Sequence, residues 1–99
     1  MLQYSELIQT IILQPIAIPD DELNFKIEIL KNAQKQFYAR LFRLEMYQVT
    51  PSFIDTCADE VQYVLDIHTL PGLETHFQNT AAACLNSALH LLQNKFNIA

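Results

Sequence analysis

One uninterrupted stretch, residues 20–48, limits what this chain can fold into. It contains no glycine and no proline, it follows Pro19, and it ends before Thr50-Pro51. At about 100° per residue, its apolar side chains recur in one narrow stripe whose steps alternate between four and three residues. The stripe consists of Leu23, Ile27, Leu30, Gln34, Phe37, Leu41, Leu44 and Gln48. The spacing predicts a long central helix, with the acidic residues 20–22 at its positive end.

The length of this helix and its second apolar face favour self-association. About 28 residues at about 1.5 Å each form a rod of roughly 42 Å, whereas a compact chain of this size has a diameter of roughly 33 Å. Ala39, Phe42 and Met46 lie about 130° away from the main stripe. Since apolar residues on two faces need two packing partners, we predict that these three residues lie in a homodimer interface. The alternative is that both stripes belong to one core.

Two prolines separate the central helix from the N-terminal segment. Residues 5–13 have the spacing of a short helix, and Pro15 with Pro19 makes residues 14–19 an extended connector. The connector contains two isoleucines that need cover. Residues 1–19 therefore pack either on their own subunit or on a neighbouring copy, and the sequence leaves both arrangements open.

Two further signals divide the C-terminal half. Thr50-Pro51 is typical of a helix start and predicts a third helix that runs to about residue 67. Gly72, the only glycine, follows Pro71 and marks a tight turn before a fourth helix over residues 73–96. The sequence thus predicts a single all-α domain, residues 1–99, built as a small up-and-down bundle of about four helices. In this bundle residues 20–99 form a three-helix core.

The charge distribution and the hydropathy of the chain argue against a nucleic-acid-binding protein and against a membrane-spanning one. The net charge is −5, and five of the six cations lie between Lys26 and Arg43. Because they flank the predicted helix on two sides rather than forming one continuous stripe, we do not expect a nucleic-acid partner. No apolar run approaches the about 20 residues of a membrane span. The N-terminus carries Glu6 where a secretory signal would carry a cation, so we expect a cytoplasmic protein.

Residue types that often carry chemistry are few and scattered. The two cysteines form no CxxC pair, and with the three histidines they do not have the spacing of a zinc site. A single glycine cannot form a phosphate-binding loop. We therefore predict no catalytic, cofactor-binding or metal-binding residue, and we do not expect an enzyme. The alternative is a small-molecule-binding or catalytic bundle whose pocket is lined by Tyr38, Cys57, Tyr63, His68 and Cys84.

The outer face of the predicted fourth helix is polar but almost uncharged, which is unusual for a solvated helix face. It adds a candidate contact surface to the second stripe of the central helix. The sequence thus favours a non-enzymatic protein-protein interaction or regulatory module that acts as a homodimer. A second protein partner is compatible with the two candidate contact surfaces. The predicted interface residues are Ala39, Phe42, Met46, Asn79, Asn86 and His90.

Overall fold

The computed structural model describes residues 2–49 and 58–98 and shows a mostly β fold within them. The predicted all-α bundle is therefore wrong. The elements in chain order are β1 (Glu6–Ile12), β2 (Ile16–Ile18), β3 (Asp21–Leu23), β4 (Phe25–Lys31), β5 (Phe37–Val49), β6 (Ala58–Leu65), a short 3₁₀-helix (Leu73–Thr75) and α1 (Ala81–Phe96).

The main sheet has four strands in the order β1-β4-β5-β6, and each neighbouring pair is antiparallel. β2 and β3 form a separate two-stranded hairpin. Its turn is Pro19-Asp20, in which Asp20 takes a φ of 65°. β1 pairs with β4 of its own chain, so the N-terminal strand lies on its own subunit. Within the described residues, β1 and β6 are the two end strands of the sheet.

The region predicted as a central helix, residues 20–48, instead contains β3, β4 and most of β5. In β4, Phe25, Ile27 and Ile29 are completely buried, while the residues between them are only partly buried. A period of two is the pattern of a strand with one buried face. The predicted helical stripe combined residues from both sheet faces. Ile27 and Leu41 share one face, and Leu30 belongs to the other.

A turn between β4 and β5 interrupts the predicted helix without glycine or proline. The side-chain oxygen of Asn32 accepts hydrogen bonds from the amides of Gln34 (3.0 Å) and Gln36 (2.9 Å). Lys35 adopts the left-handed region with a φ of 62°, and its amide donates to the carbonyl of Asn32 at 3.0 Å. Asparagine side chains form such turns by replacing backbone hydrogen bonds. The chain therefore reverses where the sequence shows no obvious break.

One face of the sheet, which we name the covered face, carries α1. Cys84, Ala88 and Leu92 are spaced four residues apart on the buried side of α1. They form one core cluster with the covered-face residues Phe25, Ile27, Ile29, Ala39 and Leu41. Burial of these apolar surfaces from water is the main stabilising contribution to such a core. The small side chains of Cys84 and Ala88 allow the helix to lie close to the sheet.

The predicted fourth helix begins later than its pattern suggests. The hydroxyl of Thr80 accepts a hydrogen bond from the amide of Ala83 (3.1 Å) and caps α1. Before it, Leu70 and Leu73 fill the core, and Gln78 forms a bridge with Phe37 beside β5. The segment between β6 and α1 thus covers the part of β5 that β6 leaves unpaired.

The first and third predicted helices are also strands. Residues 5–13 contain β1, and the described part of the third helix contains β6. The remainder of the third helix, residues 51–57, lies outside the described residues. The predicted connector is extended, because residues 16–18 form β2, and Ile16 packs against the core.

Candidate functional site

The sheet face opposite α1, which we name the open face, is the most distinctive surface of the described chain. The register places one row of side chains across all four strands of this face: Ile12, Lys26, Phe42 and Leu65. A second row contains Thr10, Glu28 and Arg40, and a third contains Leu7, Leu30 and Tyr38. The open face therefore alternates apolar and charged positions, whereas the positions of the covered face that lie beneath α1 are apolar.

Lys26 occupies the middle of the first row and lies over aromatic rings. Its Nζ is 4.5 Å from the ring centroid of Phe42 and 5.1 Å from that of Tyr63. The same Nζ is 3.7 Å from Oε2 of Glu28, and the two side chains are only 20% and 19% exposed. Cation-π contact and the ion pair both hold the ammonium group in place. Phe42 is therefore largely covered by its own chain.

The Tyr38 end of the open face is held by contacts with two distant segments. The hydroxyl of Tyr38 donates to Oγ of Ser5 at 2.9 Å, and its ring meets Phe77 edge-on at 6.0 Å. Nε of Arg40 lies 3.3 Å from Oε1 of Glu74. This is an ion pair without hydrogen-bond geometry, since the Nε atom is buried and has no hydrogen-bond partner among the described residues. These contacts fix both segments to β5.

The N-terminal strand concentrates the apolar exposure. Of the nine exposed large apolar side chains among the described residues, five lie between residues 2 and 12. Within β1, Leu7 is 56% exposed, Ile8 42% and Ile12 59%. Glu6 and Asp20 are the nearest charged residues, so the chain between them is uncharged. An end strand that is uncharged and mostly apolar from residue 7 to residue 12 is unusual, because natural sheets protect their edges with charges or proline.

The backbone of β1 also has hydrogen-bonding groups on its outer side that have no partner within residues 2–49 and 58–98. The amide of Leu13 donates to the carbonyl of Phe25 at 3.0 Å. Because the amide and carbonyl of one strand residue point to the same side and alternate along the strand, those of Thr10 and Ile12 point away from β4. A register shift between Leu7 and Gln9 disturbs the start of the strand. The regular part therefore begins at Gln9.

The predicted interface residues do not come together in one surface. Ala39 is 1% exposed on the covered face beneath α1, where no partner can reach it. Phe42 lies on the open face, whereas Asn86 and His90 are exposed on α1, on the other side of the sheet. Asn79 is exposed just before α1. The backbone of Met46 pairs with Val61 in the β5-β6 ladder, and its side chain lies outside the described residues.

The predicted pocket is divided by the sheet. Cys84 is buried on the covered side, and Tyr38 belongs to the open face. Tyr63 is half-buried in β6, His68 is exposed in the segment after it, and Cys57 lies outside the described residues. Among the clefts of the described chain, one of about 370 Å³ lies between Tyr4 and the β4-β5 turn, and one of about 210 Å³ lies beside Asp66. Neither cleft contains the predicted set.

Two titratable groups have shifted pKa values with structural causes. Burial raises the pKa of the Cys84 thiol, which makes it unreactive. Burial of Asp66 acts in the same direction, but hydrogen bonds from Thr69 and His68 and the nearby charge of Arg43 outweigh it and lower the pKa of this carboxyl. Through its hydrogen bonds with the amides of His68 and Thr69, Asp66 stabilises the turn after β6. In residues 2–49 and 58–98, no group of three or more His, Cys, Asp or Glu side chains is placed to hold a metal ion.

Sequence reasoning missed the β1 edge because it treated residues 5–13 as a helix. The available signal was the run Thr10-Ile11-Ile12, since β-branched residues favour strands over helices. It also missed Lys26 and Glu28 as neighbours across the open face. Their alternation with Phe25, Ile27 and Ile29 is visible in the sequence.

Comparison with known proteins gives a family without an activity. A family model described as "Uncharacterised protein YehK" matches residues 5–99. No curated protein matches the chain. No solved structure matches it either. In the part of the chain that the structure describes, no helix is long and apolar enough to cross a membrane.

Proposed function

The chain belongs to the YehK family of uncharacterised proteins, and we propose that it is a non-enzymatic protein-interaction module that acts as a homodimer. The observation that carries this proposal is the concentration of exposed apolar side chains in residues 2–12, a stretch in which Glu6 is the only charged residue. Exposed apolar patches on soluble domains commonly mark protein-protein contact surfaces. The contact surface in this proposal is β1 together with the adjoining part of the open face.

The charges of the open face support a protein partner rather than a nucleic acid. Lys26 is neutralised by Glu28, and Arg40 is neutralised by Glu74. A surface that binds phosphate backbones needs cations that are free to replace counterions. Here each of the two cations already has a carboxylate partner, and each also lies over an aromatic ring, Lys26 over Phe42 and Arg40 over Tyr38. Such a mixture of aromatic residues and arginine is typical of protein interfaces.

The homodimer surface in this proposal differs from the one that the helical pattern predicted. Ala39 is part of the core, and Phe42 lies under Lys26. Neither residue offers much apolar area to a second copy. Ile12 stands at the β1 end of the same row and is 59% exposed. A cytoplasmic location is part of the proposal and is supported by the free thiol of Cys84, because that compartment keeps thiols reduced.

The test uses two matched substitutions at opposite ends of one row. Ile12→Glu and Leu65→Glu each place a carboxylate at an exposed apolar position of the open face. We expect light scattering to give the wild type a mass of twice 11.4 kDa. Ile12→Glu weakens association at least about tenfold, which corresponds to 1.4 kcal/mol, and Leu65→Glu leaves the dimer intact.

Circular dichroism controls for folding in both variants. Glu at position 12 stands opposite Lys26 in the ladder, so the fold of the monomer is expected to survive. A wild-type protein that is monomeric at all tested concentrations contradicts the homodimer. Loss of the dimer in Leu65→Glu alone contradicts the placement of the contact surface at β1.

A further inference from the structure

From the free edge of β1 we infer how the two copies meet: β1 pairs antiparallel with β1 of the second copy, so that the two sheets form one continuous eight-stranded sheet. This inference rests on the proposed homodimer and specifies its contact. Addition of a strand to an exposed sheet edge is a common mode of protein recognition. Its first support is the outward direction of the amide and carbonyl groups of Thr10 and Ile12.

The regular part of β1 determines the register. With Ile11 on the two-fold axis, Thr10 of one copy stands opposite Ile12 of the other. These are the residues whose backbone groups point outward, so each such pair exchanges both of its hydrogen bonds. The register shift between Leu7 and Gln9 lies outside the central pairs. A register centred on Thr10 would instead place Ile8, within the irregular part, opposite Ile12.

Side chains in this register are complementary on both faces. Ile12 and Thr10 both lie on the open face, because they stand opposite Lys26 and Glu28. Ile11 stands opposite Ile27 and therefore lies on the covered face, next to its own symmetry mate. β-Branched residues pack well as cross-strand pairs. The exposed side chain of Ile12 is covered by the second copy without opposing any charge.

Charge selects a second β1 rather than the other edge of the sheet. In the Ile11-centred register, residues 7–15 of the two copies pair with each other, and none of them is charged, since no charged residue lies between Glu6 and Asp20. β6 contains two adjacent acidic residues, Asp59-Glu60, in its sequence, so two copies of this strand carry charge of the same sign and repel each other. A β1-β6 contact would be heterologous and would continue into open chains of molecules. Only the β1-β1 contact is both uncharged and closed.

Disulfide trapping tests the strand pairing directly. In the Ile11-centred register, residue 11 meets its own symmetry mate at a non-hydrogen-bonded position, where Cα atoms are about 4.5 Å apart. This separation is within the range that a disulfide requires. Ile11→Cys is therefore expected to form a covalent dimer upon mild oxidation. Gln9→Cys is the matched control, because it lies on the same strand but stands opposite Leu13 of the second copy.

A second variant tests the hydrogen bonds without oxidation. Thr10→Pro removes an outward amide but no β1-β4 hydrogen bond, and proline is tolerated on edge strands. We expect a folded protein whose dimer dissociates at least tenfold more readily than the wild type. Thr10→Val, which keeps the amide and the β-branched shape, is expected to remain dimeric.

The outcomes separate this inference from the proposed function. Covalent dimers of Ile11→Cys, with none above the wild-type level for Gln9→Cys, support the paired strands. If the wild type is a dimer and Ile12→Glu disrupts it, but Ile11→Cys forms no covalent dimer and Thr10→Pro stays dimeric, the strand pairing is wrong and the homodimer stands. If the wild type is a monomer, both are wrong.

Discussion

The two faces of the four-stranded sheet use the same strands in different ways. On the covered face, Ile27 and Leu41 stand opposite each other beneath α1, and both are buried. On the open face, the neighbouring positions pair Lys26 with Phe42 and Glu28 with Arg40. The covered face is stabilised by removal of apolar surface from water. On the open face the charged side chains form ion pairs, and apolar side chains remain exposed at the β1 end.

This difference shows which substitutions should affect folding and which should affect association. A charge introduced beneath α1 would be buried without a partner, whereas a charge on the open face would remain hydrated or find an existing partner. The open face and the β1 edge can therefore change with less effect on the fold. The following predictions test this division, in order of decreasing expected effect.

The largest effect is expected from truncation of equivalent aromatic residues on the two faces. Phe25 is completely buried and its ring centroid is 5.9 Å from that of Phe96. Phe25→Ala should reduce the free energy of unfolding by about 3–5 kcal/mol. Phe42→Ala on the open face should cost roughly 1–2 kcal/mol, since the ring is only partly buried. Urea unfolding of both variants measures the difference, and equal losses would contradict the division.

A smaller effect is expected at the turn that carries the chain from β6 towards the core residues Leu70 and Leu73. The carboxylate of Asp66 accepts hydrogen bonds from the amides of His68 (2.9 Å) and Thr69 (3.0 Å). Asp66→Ala leaves these amides without their partner and should reduce the free energy of unfolding by about 1–3 kcal/mol.

The pH dependence of Asp66 gives a second measurement with a definite sign. Its pKa is lowered in the folded state, because the hydrogen bonds from Thr69 and His68 and the charge of Arg43 outweigh the opposing effect of burial. Its contribution to stability is therefore fully present above the ordinary carboxyl range, about pH 4, and is lost as the pH falls through the lower folded value. The difference in stability between wild type and Asp66→Asn should shrink below about pH 4. A difference that grows on acidification would contradict this assignment.

The smallest effect is expected in the β4-β5 turn, which sets the register that places Ile27 opposite Leu41. Lys35 adopts a φ of 62°, a conformation that glycine adopts without steric cost. Lys35→Gly should raise the free energy of unfolding by about 0.5–1 kcal/mol. Gln34→Gly in the same turn is the control. Its φ is not among the positive values of the described chain, so it should be neutral or destabilising. Thermal unfolding of the two variants distinguishes these outcomes.

Part of this fold could be predicted because neighbouring residues alone determine the local structure there. The segment that forms α1 contains no β-branched residue, and its small side chains recur on one side. A helix does form over residues 81–96, within the predicted range 73–96, and Cys84, Ala88 and Leu92 are buried on that side. The turn at Gly72 is also confirmed, with a φ of 76°. The capping hydroxyl of Thr80 was available in the sequence but lay inside the overlong predicted helix.

The strands within residues 20–48 could not be recognised in the sequence, because the open face also carries apolar residues. Strict alternation identifies a strand when one face is apolar and the other is polar. Here the open face also carries Leu30, Tyr38 and Leu44. With these residues, the alternation between apolar and polar positions is incomplete. Apolar residues from both faces of the sheet therefore fit the spacing of a helix. The turn at Asn32 lacks glycine and proline, so the sequence does not mark where β4 ends and β5 begins.

The sequence by itself determined the C-terminal helix, the turn at Gly72, the extended proline-bounded segment and the uncharged stretch between Glu6 and Asp20. Each depends on the conformational preference or charge of adjacent residues, which acts locally. Only the tertiary structure decided that Ala39 is core, that Lys26 lies over Phe42 and that β1 is an end strand of the sheet that the described residues form. These facts depend on pairing between strands distant in sequence, and the energy of such pairing comes from contacts that no local pattern contains.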